Sequence, residues 1–196
     1  MEHSTLIIGI TGGTGCGKTT LLTCIQEKGG LILDCDAIYH QLLAEDKSLL
    51  AAIETRFPGV VADGQLQRKK LGNMVFSDEN ALKDLNKITH TAVKAEVLRQ
   101  LETAPKLAAI DAIGLFEGDL ASLCHVTVAI TAPTEDRVVR LMARDGITEE
   151  YARKRIAAQR SNAEFSALCT HTLENNGDIC AFRAKCLAFL VKIGIM

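Results

Sequence analysis

The sequence predicts an α/β fold, a parallel sheet of about five strands flanked by helices. Three observations carry that expectation. Short apolar runs alternate with longer helical patterns along the 196 residues. One long interval of helical character separates the second run from the third. The first run enters its helix through a turn that holds four glycines in six residues, Gly12 to Gly17. Strands covered by helices on both faces read as continuous apolar runs, and an alternating order of strand and helix builds a parallel sheet.

Leu6 to Thr11 is the first strand, and a helical pattern starts near Lys18. Leu31 to Asp34 is the second. From about Ala37 to Pro105 no strand is expected; helical patterns cover Lys47 to Arg56 and Asn80 to Thr103, with a turn at Ala62-Asp63-Gly64. This mostly helical insertion follows strand two. At the carboxyl ends of parallel strands it overhangs the crevice where α/β sheets bind ligands, a suitable place for the acceptor of a transferase. Leu107 to Ala112, Val126 to Thr131 and a weaker Thr170 to Glu174 complete the sheet. Without internal repeats or low-complexity linkers, the chain reads as one domain. Its core is residues 1–36 and 105–196, its helical insertion about 37–104, and a helical lid spans about 134–165.

A net charge of −2 leaves no footprint for a nucleic-acid track, although local Arg and Lys residues can hold a small anion. Met1 to Leu6 lacks the regions of a signal peptide, and no apolar stretch is long enough to span a bilayer. A cytoplasmic protein with no nucleic-acid or membrane partner is expected, as a monomer or weak homo-oligomer. Seven cysteines with no C-x-x-C pair read mostly as reduced, buried thiols.

Gly12-Gly13-Thr14-Gly15-Cys16-Gly17-Lys18-Thr19 satisfies G-x-x-x-x-G-K-[ST] and lies at the first strand-to-helix junction. This is the context in which the motif forms a phosphate cradle, so the sheet is of the P-loop NTPase type. Backbone N–H groups turn inward and the helix N-terminus adds positive potential; Lys18 reaches the β/γ-phosphates and the Thr19 hydroxyl meets Mg²⁺. With Thr20, these residues form the expected ATP-binding set. Cys16 has two readings: a thiol acidified by the helix N-terminus, or a small apolar filler of the loop.

Asp34 and Asp36 end strand two at i and i+2 and share one side if the chain stays extended. Asp36 is placed either to accept a proton or hold Mg²⁺ in phosphoryl transfer, or to cap the helix that follows. Asp111, at the end of an apolar strand, is either a second Mg²⁺-holding carboxylate or a strand end. Arg137, Arg140 and Arg144 share a helix face at i, i+3, i+7, either a lid over a triphosphate or a solvated face beside Glu135, Asp136 and Asp145. Arg153, Lys154, Arg155 and Arg160 extend that basic region.

With these residues in view, the chain resembles dephospho-coenzyme A kinase from Leu6 to about Gly177. Asp34-Cys35-Asp36-Ala37-Ile38-Tyr39-His40 is similar to the family's Asp-Ala-Asp segment, whose second aspartate implies that Asp36 is the catalytic base. Asp63-Gly64 through Arg68, Leu71 and Val75-Phe76 resembles the helical domain that receives the coenzyme, and Leu85-Asn86 with His90 resembles its Leu-Asn and His-Pro signature. Asp111-Ala112-Ile113-Gly114-Leu115-Phe116-Glu117 is similar to Asp-x-Pro-Leu-Leu-Phe-Glu. Arg140, Arg144, Ile147-Thr148, Arg155 and Gln159 follow the lid pattern, and Asn175-Asn176-Gly177 resembles the turn beside the adenine. The chain departs from the pattern at Thr91, Ile113-Gly114, His40, Phe165 and Cys169-Thr170.

The resemblance implies transfer of the ATP γ-phosphoryl to the ribose 3′-hydroxyl of dephospho-coenzyme A. Lys18, Asp36, Arg140 and Arg144 would be catalytic, with Mg²⁺ on Thr19 and on Asp36 or Asp111. Asn175 and Gly177 would meet ATP; Asp34, His40, Arg68, His90, Leu115 and Glu117 would meet the acceptor. For His90, a core histidine satisfied by backbone groups is the other reading. Another P-loop nucleotide or small-metabolite kinase shares every feature up to the insertion. An ATP-binding module without turnover is a further alternative. A nucleotide-switched regulator is more distant, since Asn86-Lys87-Ile88-Thr89 lacks the aspartate of an Asn-Lys-x-Asp guanine site.

Overall fold

The computed structural model describes residues 5–195. Residues 1–4, part of the N-terminal segment read as lacking a leader, lie outside the described residues with residue 196. In chain order the elements are β1 Leu6–Thr11, α1 Lys18–Glu27, β2 Leu31–Asp34, α2 Cys35–Glu45, α3 Lys47–Arg56, β3 Val61–Ala62, β4 Gln65–Leu66, α4 Arg68–Val75 and α5 Glu79–Leu101. They continue with β5 Leu107–Asp111, β6 Val126–Thr131, α6 Thr134–Asp145, α7 Glu149–Ala157, α8 Asn162–Leu168, β7 His171–Glu174 and α9 Ile179–Lys192.

The expected sheet forms, five parallel strands in the order β2-β5-β1-β6-β7. After β5 the chain crosses β1 to reach β6, so the ligand crevice of such a sheet lies beyond the carboxyl end of β1. The ladder starts at His171 instead of Thr170, because Thr170 and Thr127 exchange side-chain hydrogen bonds at that end: the Thr170 N–H donates to Thr127 Oγ1 at 2.9 Å and the Thr127 N–H to Thr170 Oγ1 at 3.1 Å. The turn at Asp63-Gly64 joins the two short strands of a hairpin, with Asp63 at φ 52 as the tight hairpin turn requires.

Apolar side chains alternate across the sheet. Ile8, Ile10, Val128 and Ile130 pack against Leu21 and Ile25 of α1 and Phe182 and Phe189 of α9. On the opposite face Leu33 and Ile110 meet Ile38 of α2, Val93 and Val97 of α5, and Leu115 and Leu120 of the loop after β5. The insertion has a cluster of its own around Leu49, Ile53, Phe57, Val60, Leu71 and Val75. Helices α6 and α7 form a smaller one from Val138, Leu141 and Ala152. Asp46, Asp78 and Asp178 cap α3, α5 and α9 by accepting hydrogen bonds from first-turn N–H groups, so each helix starts where a short acidic side chain satisfies its orphan donors.

One expectation at β2 is corrected. The chain does not stay extended from Asp34 to Asp36; α2 begins at Cys35, and its cap is Asp34, whose Oδ1 accepts from the N–H groups of Asp36 and Ala37 at 3.0 Å each. Asp36 is not the cap and sits in the first turn.

Ile53 is fully buried in the insertion. Ile53→Ala should lower the stability of that region by about 2–5 kcal/mol, since the vacated space is only partly refilled. A urea unfolding midpoint that does not fall would contradict this packing.

Candidate active site

Four carbonyls of the glycine-rich loop are held by side chains. Lys18 Nζ donates to Gly12 O at 3.1 Å, Arg137 Nε to Thr14 O at 2.9 Å, Arg140 Nη1 to Gly15 O at 3.3 Å and Asn175 Nδ2 to Cys16 O at 2.9 Å. The Thr14 N–H is taken by Gln159 and the Cys16 N–H by Gly13 O, which leaves the N–H groups of Gly13, Gly15 and Gly17 without a partner among the described residues, a set of donors suited to an anion. Gly12 has φ +137 and Gly17, at the start of α1, φ +94. A Cβ at Gly12 would collide with the Ile130 carbonyl and one at Gly17 with the Asn175 amide, so neither position tolerates a side chain. Among the described residues no carboxylate lies within ion-pair distance of Arg137, which is only 2% exposed. Its charge contributes to the potential of the loop instead of being cancelled.

The cavity beside this loop has a volume of about 410 Å³ and polar walls: the loop itself, Lys18, Thr19, Asp36, Asp111, and Arg140, Arg144, Arg155 and Gln159 from α6, α7 and the turn after them. Arg144 and Arg155 both donate to Asp145 at 2.6 Å, and the two guanidinium groups hold its carboxyl at about 2. The stripe on α6 is divided: Arg137 is buried, Arg140 half-buried, and Arg144 is exposed and paired with Asp145. Arg137 and Arg140 hold the loop, and Arg144 stands at the cavity.

Strand register places Asp34 beside Asp111 at the carboxyl ends of β2 and β5. Burial pushes the Asp111 carboxyl up to about 6; Lys18 opposes the shift at 4.0 Å, and Asp34 and Asp36 add to it. Asp111 Oδ1 is buried without a hydrogen-bond partner. An orphaned carboxylate oxygen facing a phosphate cavity, near the exposed Thr19 hydroxyl, fits a hard cation. Among the described residues no cluster of three or more His, Cys, Asp or Glu side chains would hold a metal alone. Phosphate oxygens and water would have to complete such a site.

A second cavity of about 240 Å³ adjoins the first, and Asp36 and Ile113 line both. Its other walls include Tyr39, Asn86, Thr89, His90, Gly114 and Gly118. His90 is half-buried there and makes no hydrogen bond among the described residues, so it is not a core histidine satisfied by backbone groups. His40 and Arg68 lie apart, at an apolar groove lined by Leu43, Leu71, Val75 and Leu85, which meets the second cavity at Tyr39 and Leu85.

Several expected site residues stand elsewhere, Asp34 among them: it lines neither cavity and serves as the cap of α2. Leu115 is fully buried in the core and anchors its loop, so its side chain cannot touch a ligand. Glu117 is paired with Arg160 at 2.7 Å. Both ends of the Asn175 amide are used, on Cys16 O and on Arg140 Nη2 at 3.4 Å, and Gly177 lies outside the phosphate cavity. Cys16 is fully buried, and desolvation raises its thiol pKa in spite of Arg137 and Lys18, so it is the apolar filler and not an acidified nucleophile. Sequence reasoning did not assign Arg137 its role of fastening Thr14. The available signal was a cation next to the acidic first turn of α6, on the face that buries Val138 and Leu141, where it needs a partner.

Comparison with known proteins adds an independent line. The sequence profile described as dephospho-CoA kinase matches residues 6–181. Dephospho-CoA kinase of Latilactobacillus sakei is 33% identical over 186 residues, covering 92% of each chain. Among solved structures, TT1252 from Thermus thermophilus superposes with a TM-score of 0.80 at 32% identity, covering 97% of this chain and 98% of that one. Dephospho-CoA kinase from Campylobacter jejuni does so with a TM-score of 0.65 at 25% identity, over 95% and 96%.

The raised Asp111 pKa has a consequence for stability. Between about pH 4 and 6 the folded chain holds a proton there that the unfolded chain has lost, so this group's contribution falls as pH rises through that window. Asp111→Asn should match wild type below pH 4 and exceed it above pH 6, by on the order of 2 kcal/mol. Urea unfolding of both proteins at the two pH values, without nucleotide, measures the difference; a constant gap would contradict the shift.

Proposed function

The chain belongs to the dephospho-CoA kinase family, and from that premise we propose how its residues divide the work. The protein is an ATP-dependent kinase that phosphorylates the ribose 3′-hydroxyl of dephospho-coenzyme A, yielding coenzyme A and ADP. The single observation that carries the division is Asp36 on the wall common to the two cavities. The polar cavity takes the triphosphate of ATP, and the adjoining one takes the adenosine end of the acceptor.

The N–H groups of the loop and the Lys18 ammonium bind the β- and γ-phosphates. Asp36 accepts the proton of the acceptor hydroxyl and aims its oxygen at the γ-phosphorus. Asp34 holds Asp36 in place by capping α2, and Arg140 and Arg144 neutralise charge on the transferring group. Thr19 and Asp111, with Asp36 nearby, would be the residues that hold a Mg²⁺ ion, whose positive charge would offset that of the triphosphate. His90 borders the acceptor; Arg68 and His40 stand farther along, where a longer part of it would pass. Because the transition state is loose, orientation and charge matter more than basicity.

A cytoplasmic location, as a monomer or weak homo-oligomer, belongs to the same proposal. All seven cysteines are free thiols, in keeping with a reducing compartment. No described helix is long and apolar enough to cross a membrane.

A coupled assay of ADP release tests the assignment. Asp36→Asn should lower kcat by about a hundred- to ten-thousandfold with KM for ATP little changed, because only acceptor activation is lost. Wild-type-like turnover would remove Asp36 from the mechanism. Lys18→Ala should both raise KM for ATP and lower kcat, each by about tenfold or more, since its charge serves ground state and transition state alike.

A further inference from the structure

Two adjacent residues between α7 and α8 reach to two different loops, the glycine-rich loop and the loop after β5. Gln159 Oε1 accepts from the Thr14 N–H at 2.8 Å and from Arg137 Nη2 at 3.3 Å. Two donors converging on one atom fix the amide orientation. With Arg137 on Thr14 O, both polar groups of Thr14 are held from the lid side. The next residue, Arg160, donates through Nε to Glu117 Oε1 at 2.8 Å.

Glu117 belongs to a loop that has little freedom of its own. Gly118 N–H donates to Gly114 O at 3.0 Å, Asp119 N–H to Phe116 O at 3.1 Å and Leu120 N–H to Leu115 O at 3.0 Å, while Leu115 is sealed in the core. A displacement of Glu117 is therefore passed to Gly114 and Gly118, both on the wall of the second cavity. The Arg160–Glu117 pair is 40% and 42% exposed, which places it among surface pairs that contribute about 0–1 kcal/mol to stability. Stability does not account for it; what it fixes is the distance between two walls.

We propose that Gln159 and Arg160 are positioning residues that couple the donor and acceptor sites, Gln159 fastening the phosphate loop through Thr14 and Arg160 fastening the acceptor wall through Glu117. This rests on the assignment of the two cavities made above. A triphosphate that reorders Thr14 shifts Gln159, and Arg160, one residue on, transmits the shift to the wall around the acceptor. Bound ATP then tightens acceptor binding, and by linkage the acceptor tightens ATP binding.

The test is calorimetric binding of dephospho-coenzyme A with and without a saturating non-hydrolysable ATP analogue. Wild type should bind the acceptor about fivefold or more tightly with the analogue present. Gln159→Leu, Arg160→Glu and Glu117→Arg should each bring that ratio to about one, and the charge-swapped double variant Arg160→Glu/Glu117→Arg should restore most of it. A purely structural role would change acceptor affinity equally in both conditions. A wild-type ratio of one, single variants with an unchanged ratio, or a swapped pair without recovery would each overturn the coupling. Wild type that releases no ADP with dephospho-coenzyme A would instead overturn the assigned reaction, so the two failures are distinct.

Discussion

The site depends on four loop carbonyls being held by side chains. A glycine-rich loop alone is free to present either its N–H groups or its oxygens to a ligand, and an oxygen facing a phosphate would repel it. Here Gly12, Thr14, Gly15 and Cys16 each give their carbonyl to a side chain, from Lys18, Arg137, Arg140 and Asn175 respectively. Three of the four donors are cations, so the same contacts that set the direction of the loop also set its sign. Burying a guanidinium without a carboxylate is costly, and Arg137 is the clearest case. The carbonyl and amide acceptors around it offset part of that cost, and an anion in the cradle offsets more.

A second division of labour separates three carboxylates that lie close together. Asp34 is spent on the N-terminus of α2. That bond starts the helix one residue after the strand and leaves the Asp36 side chain without a structural duty, between two cavities. Asp111 is drawn inward instead, and burial raises the pKa of its carboxyl. Chemically similar side chains thus acquire different settings from environment alone: one caps a helix, one lines both cavities, and one keeps a buried oxygen without a hydrogen-bond partner.

The strands were legible because helices cover both faces of the sheet, so β1, β2 and β6 read as uninterrupted apolar runs with the bounds the structure has. The phosphate loop was legible because its glycines serve close approach, a requirement that leaves a fixed spacing. What the sequence hid was direction. Asp34 and Asp36 are equally good caps by residue type, and only the turn into helix at Cys35 selects between them. Leu115 and Glu117 sit two apart in a segment whose pattern resembles a ligand-binding one, yet the first is core and the second pairs across the crevice. Arg137 carries a charge that suggests solvent, whereas the carbonyl it fastens, that of Thr14, is more than a hundred residues away in sequence. Cys16 was ambiguous until burial could be weighed against the neighbouring cations, and desolvation is the larger effect.

The lid cations are held, but loosely. Arg144 and Arg155 share Asp145, while Arg140 approaches Asp136 only to 3.9 Å. These pairs are partly solvated, so exchanging Asp145 for a more highly charged partner costs little. Arg137, by contrast, is buried and its geometry is fixed by Thr14 and Gln159. The cationic wall is therefore graded, from one buried charge that fastens Thr14, through Arg140, half-buried on Gly15 O, to Arg144 and Arg155, which share Asp145 at the solvated edge of the cavity. Rigidity sits at the glycine-rich loop, where a guanidinium out of water can only be held by fixed acceptors, and exchange is cheap at the edge, where water competes for each ion pair.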